Sequence, residues 1–466
     1  MSSYRLRDLP DLFRTPAGRR QVHEGVLFRL WPALSRLAHV HRHTVASPVR
    51  VVAITGSYGK STTARAVAAA LGAPTHPAMS HNAWSSLARA VLRIRPWQRH
   101  AVIETGISGA GQMERYADIV WPDIAVVTSI GSEHHPTLPT LEHTRAEKGK
   151  LLRALRPGGI AVVNGDDPHT MWMSTLARGR VVTFGLGEGC DVRASDLRLD
   201  WPRGTRFRLD AFGETRDARI GLVGRPMVYP VLAAIAVAGV EGVPLDDALA
   251  RCAALRPTPG RLEPIALPSG AIVLRDDYKG SRETIDAALH LLAEVPARRK
   301  FVVLGDLSEI QGREWRLYVT LGMRVARVAT QFVTIGRGFR RYWAGARKAG
   351  MPRSAVKDGG RTVQEVAAHL RATLGPGDVV LVKSRRGQKL DRVRLILEGR
   401  DVRCAIKHCS VTTMECAECP MLERGWGRNR AVTPGWFPPR SDRRGRAGRE
   451  TGAAWDAAAL RRGEGR

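Results

Sequence analysis

A glycine-rich segment with one lysine, TGSYGKST at residues 55–62, has the composition of a loop that binds phosphate groups. An apolar run, VVAIT, leads into it, and an alanine-rich helical pattern follows. In such a strand-to-helix turn, glycines direct consecutive backbone N–H groups at an anion, and the helix dipole adds partial positive charge. Lys60 would neutralise the β- and γ-phosphates of a nucleotide, and the Ser61 hydroxyl would ligate Mg²⁺. A glycine turn that contains a lysine by chance is the alternative, but the flanking strand and helix patterns argue against it.

Further polar segments follow the loop in a fixed order. In the first half of the chain they are Glu104-Thr105-Gly106, Gly111-Gln112-Met113, the run Thr128 to His134, Glu147-Lys148-Gly149-Lys150 and Asn164-Gly165-Asp166-Asp167. In the second half they are Gly260-Arg261-Leu262-Glu263, Asp276-Asp277-Tyr278, the run Gly305 to Glu309 and Val382-Lys383-Ser384-Arg385. With the [ST]-G-x-x-G-K-[ST] loop, this series resembles the Mur ligase family over residues 50–400, and is most similar to its MurF branch. That branch joins D-alanyl-D-alanine to a UDP-MurNAc tripeptide.

The resemblance implies an ATP- and Mg²⁺-dependent ligase that converts a carboxylate to an acyl phosphate and then to an amide, releasing ADP and phosphate. It implies catalytic roles for Lys60, Glu104, His134, Lys148 and Arg261. It implies nucleotide contacts for Gly56, Ser57, Gly59, Lys60, Ser61, Thr62, Asn164, Asp167, Asp276 and Lys383. Ser61, Glu104 and His134 are the expected Mg²⁺ ligands, and Lys148 stands where the family carries a carbamylated lysine.

Four segments differ from the family pattern. Only about 50 residues precede the loop, where the family has a larger domain for the UDP-sugar. A helix that carries one His and two Asn in the family reads GRPMVYPVLAA at residues 224–234, and D-D-Y-N-A-N-P becomes DDYKGSR at residues 276–282. After the loop, the family's Asn pair is reduced to Asn82. These changes favour a different, more anionic substrate; a polyglutamate- or capsule-type ligase and a non-catalytic nucleotide-binding regulator are the alternatives.

Four cysteines lie close together near the end of the chain, at positions Cys404, Cys409, Cys416 and Cys419. Four thiolates can bind Zn²⁺ tetrahedrally, and the C-x₂-C pair has the spacing of a metal-binding knuckle. A structural zinc site, redox or iron–sulfur chemistry, and free thiols are all open on this pattern.

The elements that must position these residues alternate between short apolar runs and helical patterns. Runs such as HAVIET, DIAVVTSI, GIAVVNG and RVVTFG follow the loop, and AIVLRDD, KFVVLGD, QFVTIG and DVVLVKS follow residue 259. The alternation predicts an α/β protein. We expect a short basic N-terminal segment at residues 1–48, a central ATP-binding domain with a parallel-rich sheet at 49–258, and a Rossmann-like α/β domain at 259–402. The cysteine cluster at 403–422 and a basic, disordered Gly/Pro/Arg tail at 423–466 follow.

The composition limits the class of protein and its partners. The net charge of +29 is spread over the chain without a nucleic-acid recognition motif, so attraction for nucleotide phosphates or an anionic substrate is favoured over nucleic-acid binding. No apolar run has the length of a membrane helix and no secretory signal is evident, so a cytoplasmic location without membrane insertion is expected. Small-molecule carboxylate and amine substrates are the expected partners, together with a protein partner at the N-terminal segment.

Overall fold

Three helices precede the first strand of the chain. The computed structural model describes residues 9–74, 82–132, 137–308, 313–409, 411 and 414–426. The helices are α1 (Leu9–Phe13), α2 (Pro16–Arg29) and α3 (Trp31–His43). Helices α2 and α3 are separated only by Leu30, which follows α2 and precedes α3. Pro32 lies in the first turn of α3, where its missing N–H costs no hydrogen bond.

The central part of the chain forms an eight-stranded sheet in the order β2-β1-β3-β4-β5-β6-β7-β8. Its strands are β1 (Arg50–Thr55), β2 (His100–Glu104), β3 (Ile124–Val127), β4 (Ile160–Asn164), β5 (Val181–Gly185), β6 (Val192–Asp200), β7 (Gly204–Ala211) and β8 (Glu214–Ile220). Its helices are α4 (Lys60–Ala70), α5 (Ser85–Leu92), α6 (Gln112–Val120), α7 (Leu141–Arg153), α8 (Pro168–Ser174), α9 (Val228–Val240) and α10 (Leu245–Ala253). Strands β1 to β6 pair in parallel, and β6, β7 and β8 pair antiparallel.

The apolar runs form strands because helices cover both faces of this sheet. Side chains alternate along β1, so Val52 and Ile54 join the core beneath α4 and α9, whereas Val51 and Ala53 join the core beneath α5 and α6. A strand buried on both faces reads as a continuous apolar run. The predicted α/β class with a parallel-rich sheet is confirmed.

The second sheet has six strands in the order β13-β12-β11-β14-β10-β9. Its strands are β9 (Glu263–Ala266), β10 (Ile272–Asp276), β11 (Lys300–Leu304), β12 (Gln331–Thr334), β13 (Val356–Asp358) and β14 (Val379–Lys383). Its helices are α11 (Arg282–Glu294), α12 (Glu314–Ala326), α13 (Phe339–Lys348), α14 (Val363–Thr373) and α15 (Asp391–Leu397). All pairs are parallel except that β9 runs antiparallel to β10.

The chain then forms a segment that carries the four cysteines and ends in α16 (Met421–Arg424). Residue 423 lies in this helix and Trp426 is buried, so the predicted disordered tail begins too early. The rest of that tail, residues 427–466, lies outside the described residues. Within the part of the chain that the structure describes, no helix combines the length and apolar character needed to cross a bilayer.

A buried arginine fixes the N-terminal helices to the central sheet. The Arg42 guanidinium is fully buried and donates hydrogen bonds to the carbonyl oxygens of Val120 (3.0 Å), Ala46 (2.6 Å) and Trp121 (2.9 Å). It also pairs with the Asp123 carboxylate at 3.0 Å. Ala46 and Asp123 have further donors, the N–H groups of Val49 (3.2 Å) and Val51 (2.8 Å). Arg42 therefore matters most to the carbonyl groups of Val120 and Trp121, because a buried polar group without a partner costs free energy.

We therefore expect Arg42→Met to lower the free energy of unfolding by about 3 kcal/mol, because it removes a buried ion pair and leaves carbonyl groups without donors. Arg36→Met, at an exposed position of the same helix, is the matched control and should change it by less than about 0.5 kcal/mol. Urea unfolding followed by tryptophan fluorescence measures both. Equal effects of the two substitutions would show that Arg42 does not fix these helices.

Candidate active site

The phosphate-loop segment connects the carboxyl end of β1 to α4, at the edge of the central sheet. Gly56 and Gly59 have φ angles of +146° and +82°, which side chains rarely adopt. A Cβ on Gly56 would also lie 2.0 Å from the Thr128 hydroxyl oxygen. Ser129, after β3, fixes the loop by accepting hydrogen bonds from the backbone N–H groups of Ser57 (2.7 Å) and Tyr58 (3.0 Å). The loop is therefore held by the neighbouring strand end, with the N-terminus of α4 directly behind it.

Two lysines of the central domain direct their ammonium groups into the loop. Lys60 Nζ donates to the carbonyl oxygens of Gly56 (2.7 Å) and Ser57 (3.2 Å). Lys148 comes from α7, is 1% exposed and donates to Ser57 Oγ at 3.0 Å. Ser57 Oγ also accepts from the N–H of Gly131 at 2.9 Å. Both predicted lysines thus lie at the same loop residue.

A carboxylate and a hydroxyl meet beside the loop at the carboxyl end of β2. Ser61 Oγ donates to Glu104 Oε2 at 2.7 Å, and Asn82 Nδ2 donates to Glu104 Oε1 at 2.5 Å. Glu104 is buried. Oxygen atoms of this kind are the ligands that Mg²⁺ prefers, so this part of the site fits the expected cation. His134, the third expected ligand, lies outside the described residues.

Asn164, the last residue of β4, and Asp167, three residues later, have side chains with different roles. Asn164 lines the cavity and donates from Nδ2 to the Thr128 carbonyl at 3.0 Å. Asp167 caps α8 by accepting from the His169 N–H at 2.9 Å, and it accepts from the Ile130 N–H at 2.7 Å. Asp167 thus holds the end of β3, and its contact with the nucleotide stays a prediction.

The second domain faces the loop with the carboxyl ends of β10 and β14. Lys383 Nζ and Asp276 Oδ2 form a buried ion pair at 2.5 Å. Burial raises the pKa of Asp276 and lowers the pKa of Lys383. The Arg261 guanidinium lies 4.0 Å from the centre of the Tyr278 ring, and that of Arg386 lies 4.2 Å from it. Burial lowers the pKa of Arg261, while the charges of Asp276 and Glu104 act in the opposite direction.

One cavity of about 450 Å³ connects these groups. The predicted residues that line it are Ser57, Gly59, Lys60, Ser61, Thr62, Glu104, Asn164, Arg261 and Asp276. Gly56, Lys148 and Lys383 lie behind this wall and bond to Lys60, Ser57 and Asp276 respectively. Apart from His134 and Asp167, the structure therefore brings the predicted set together between the two sheets.

Several lining residues were not predicted. Apolar and aromatic groups suited to a flat base also line the cavity, among them Phe184, Met227, Tyr229 and Leu291. Near the loop, Tyr58, Lys279 and Glu283 bridge the two domains: the Tyr58 hydroxyl donates to Glu283 at 2.9 Å. These residues come from distant parts of the chain. The sequence signals for them were the departures from the family pattern at residues 224–234, which include Met227 and Tyr229, and at residues 276–282, which include Lys279.

The zinc alternative for the cysteine segment gains no support from the structure. Among the described residues, no three of the four cysteine sulfurs all lie within 4.8 Å of one another, as a tetrahedral site requires. Burial raises the pKa values of Cys409, Cys416 and Cys419, which favours neutral thiols. The sulfurs instead pack into two small apolar clusters, and Cys404 Sγ accepts from Arg392 at 3.3 Å.

The same segment braces the loop that presents Arg386. The Cys409 N–H donates to the Gly387 carbonyl at 2.7 Å, and Lys389 Nζ donates to the Met414 carbonyl at 3.0 Å. Glu415 pairs with Arg275 of β10 at 2.8 Å. The cysteine segment therefore supports the site structurally.

Known proteins resemble the chain over both domains. The family model of the Mur ligase middle domain matches residues 54–238, and that of the Mur ligase glutamate ligase domain matches residues 260–386. The UDP-N-acetylmuramoyl-tripeptide–D-alanyl-D-alanine ligase of Escherichia coli is 31% identical over 280 residues, which are 59% of this chain and 62% of that enzyme. The ligase of the same name from Mycobacterium tuberculosis is 30% identical over 392 residues, which are 79% of this chain and 77% of that enzyme.

Solved structures share the fold. MurF from Acinetobacter baumannii superposes with a TM-score of 0.70 at 23% identity, covering 79% of this chain and 81% of that one. MurF from Thermotoga maritima, solved with ADP, gives a TM-score of 0.67 at 22% identity and covers 79% and 83%. Family models, relatives and fold agree, and the chain belongs to the Mur ligase family of ATP-dependent amide-bond ligases.

Proposed function

We propose that the chain carries out the MurF-type reaction: ATP converts the carboxylate of a muramoyl peptide to an acyl phosphate, and the amine of D-alanyl-D-alanine then forms the amide. The proposal takes its substrates from the names of the relatives and places the reaction in peptidoglycan synthesis. The observation that carries it is the arrangement around the phosphate loop. Ser61 and Glu104 are in contact at 2.7 Å, and Arg261 and Asp276 of the second domain line the same cavity.

The loop residues would bind and orient the nucleotide phosphates. Lys60 bonds two carbonyl groups of its own loop, and in the nucleotide complex its ammonium group would exchange one of them for a phosphate oxygen. Ser61 and Glu104 would hold Mg²⁺ with His134 near the second cation position. Bound Mg²⁺ supplies Lewis-acid polarisation of the phosphate oxygens.

Phosphoryl transfer to a carboxylate brings two anions together, so the chain's main task is to supply positive charge. Lys148 lies behind Ser57 and either contributes its ammonium group or, if carbamylated as in the family, an anionic oxygen for a cation. Arg261 projects from the second domain into the cavity, held flat against Tyr278. Enclosure between the domains strengthens the electrostatic interactions of these charges and keeps water from the acyl phosphate.

Three further residues would orient the nucleotide and would not take part in the chemical step: Asn164, Asp276 and Lys383. Asn164 joins the end of β4 to the end of β3 and faces the cavity. Lys383 fixes Asp276, whose other oxygen accepts from the Leu262 N–H at 3.4 Å, next to Arg261. Asp276 would then accept a hydrogen bond from a ribose hydroxyl of the nucleotide.

The direct test is ADP release by the purified protein with Mg·ATP, UDP-MurNAc tripeptide and D-alanyl-D-alanine. We expect release that needs all three substrates and is lost in Lys60→Ala, because the loop cation is removed. Release that appears only with other carboxylate–amine pairs would keep the ligase chemistry and reject these substrates. Nucleotide binding without release on any pair would reject the proposal in favour of a regulatory role.

Removing the carboxylate charge beside Ser61 tests the metal assignment. We expect Glu104→Gln to raise the Mg²⁺ concentration needed for half-maximal activity by about tenfold or more, because an anionic ligand becomes a neutral amide of the same shape. Glu114→Gln, on the exposed side of α6 with a side chain 80% exposed, is the matched control and should leave the Mg²⁺ requirement unchanged. An unchanged requirement in Glu104→Gln would remove Glu104 from the metal site.

A further inference from the structure

The segment after β10 carries a lysine to the phosphate loop of the other domain. Lys279 lines the cavity, and its Nζ lies 3.4 Å from the Ser57 carbonyl oxygen, to which it donates. The same ammonium group lies 5.7 Å from the centre of the Tyr58 ring. The Lys279 carbonyl in turn accepts from Lys383 Nζ at 2.9 Å, so the buried lysine of β14 holds this segment in place.

A second contact docks the following helix on the same loop. Glu283, in the first turn of α11, accepts the hydrogen bond from Tyr58. Burial, and next the charge of Glu283, raise the pKa of Tyr58, which keeps its hydroxyl protonated as the donor. Gly131 makes room for the tyrosine, since a Cβ there would lie 2.3 Å from Tyr58 Cε2. Lys279 is thus positioned by contacts on both of its sides.

Three ammonium groups consequently meet at Ser57. Lys60 and Lys279 both donate to its carbonyl oxygen, and Lys148 donates to its hydroxyl. Lys60 and Lys279 also line the cavity. A cavity wall that carries two ammonium groups beside a phosphate loop is suited to an anionic ligand.

We propose that Lys279 is a further catalytic residue of this ligase: the cation with which the second domain binds the terminal phosphate of the nucleotide during transfer. The inference rests on the proposed use of ATP. In the transfer, a carboxylate oxygen forms a bond to the γ-phosphorus, and the bond from that phosphorus to the bridging oxygen breaks, with its electron pair leaving on ADP. Lys279 stays protonated throughout and donates hydrogen bonds to the oxygens of the moving phosphoryl group.

The test compares the affinities of Mg·ADP and of the non-hydrolysable analogue Mg·AMP-PNP, measured by isothermal titration calorimetry on the full chain. Only the analogue carries a terminal phosphate. We expect Lys279→Met to weaken AMP-PNP binding about tenfold, the size of one charge-assisted hydrogen bond, and ADP binding less than about twofold. Lys279→Arg, which keeps the charge, should retain AMP-PNP affinity within about threefold.

Lys348→Met is the matched control, because it removes the same charge from an exposed site on α13 of the same domain. It should change neither affinity, and thermal unfolding of each variant verifies that the fold is kept. Equal losses for both nucleotides in Lys279→Met, or no loss for either, would overturn the role of Lys279 alone. A wild-type chain that binds neither nucleotide would overturn the proposed function, and the inference with it.

Discussion

The site depends on several positively charged side chains being held close together despite their mutual repulsion. Three ammonium groups bond one serine of the phosphate loop, and no side chain of that loop is acidic. Such a cluster persists only if each cation is fixed from behind. Lys60 begins α4, Lys148 is buried in α7, and Lys279 follows a strand end secured by the pair of Asp276 and Lys383. Both sheets serve this arrangement, since the carboxyl ends of their parallel strands point at the same cavity.

Several layers of contacts support the second domain's contribution. Arg261 and Arg386 lie against the Tyr278 ring, and the loop that carries Arg386 is braced by the cysteine segment. Arg275, three residues before Tyr278 in the chain, pairs with Asp277, Asp391 and Glu415. These carboxylates raise the pKa of Arg275 despite its burial, so it remains charged. The cysteine segment is therefore part of the support of the site.

The sequence predicted what local patterns encode. The nine apolar runs that it assigned to strands became β1 to β5, β10, β11, β12 and β14, because strands buried on both faces need continuous apolar residues. It missed β6, β7 and β8, whose partly exposed faces carry charges, as in ETRDARI. Four predicted site residues, Glu104, Asn164, Asp276 and Lys383, are the last residue of a strand, and that is why motif order located them.

What the sequence could not supply were roles that depend on partners far along the chain. Asp167 matches a family motif, but the structure uses its carboxylate to cap α8. The four cysteines have metal-like spacing, yet their surroundings are the apolar clusters that they fill. In both cases the residue type alone does not specify the role of the side chain, which depends on the packing around it.

The contacts that bridge the two domains also depend on residues far apart in the sequence. Lys279 stood out in the sequence only as part of a departure from the family pattern, and Glu283 was not predicted. Their partners Ser57 and Tyr58 are more than 200 residues away. A cation carried by the second domain makes phosphate binding and domain contact one event, because the terminal phosphate attracts Lys279 only when the domains meet.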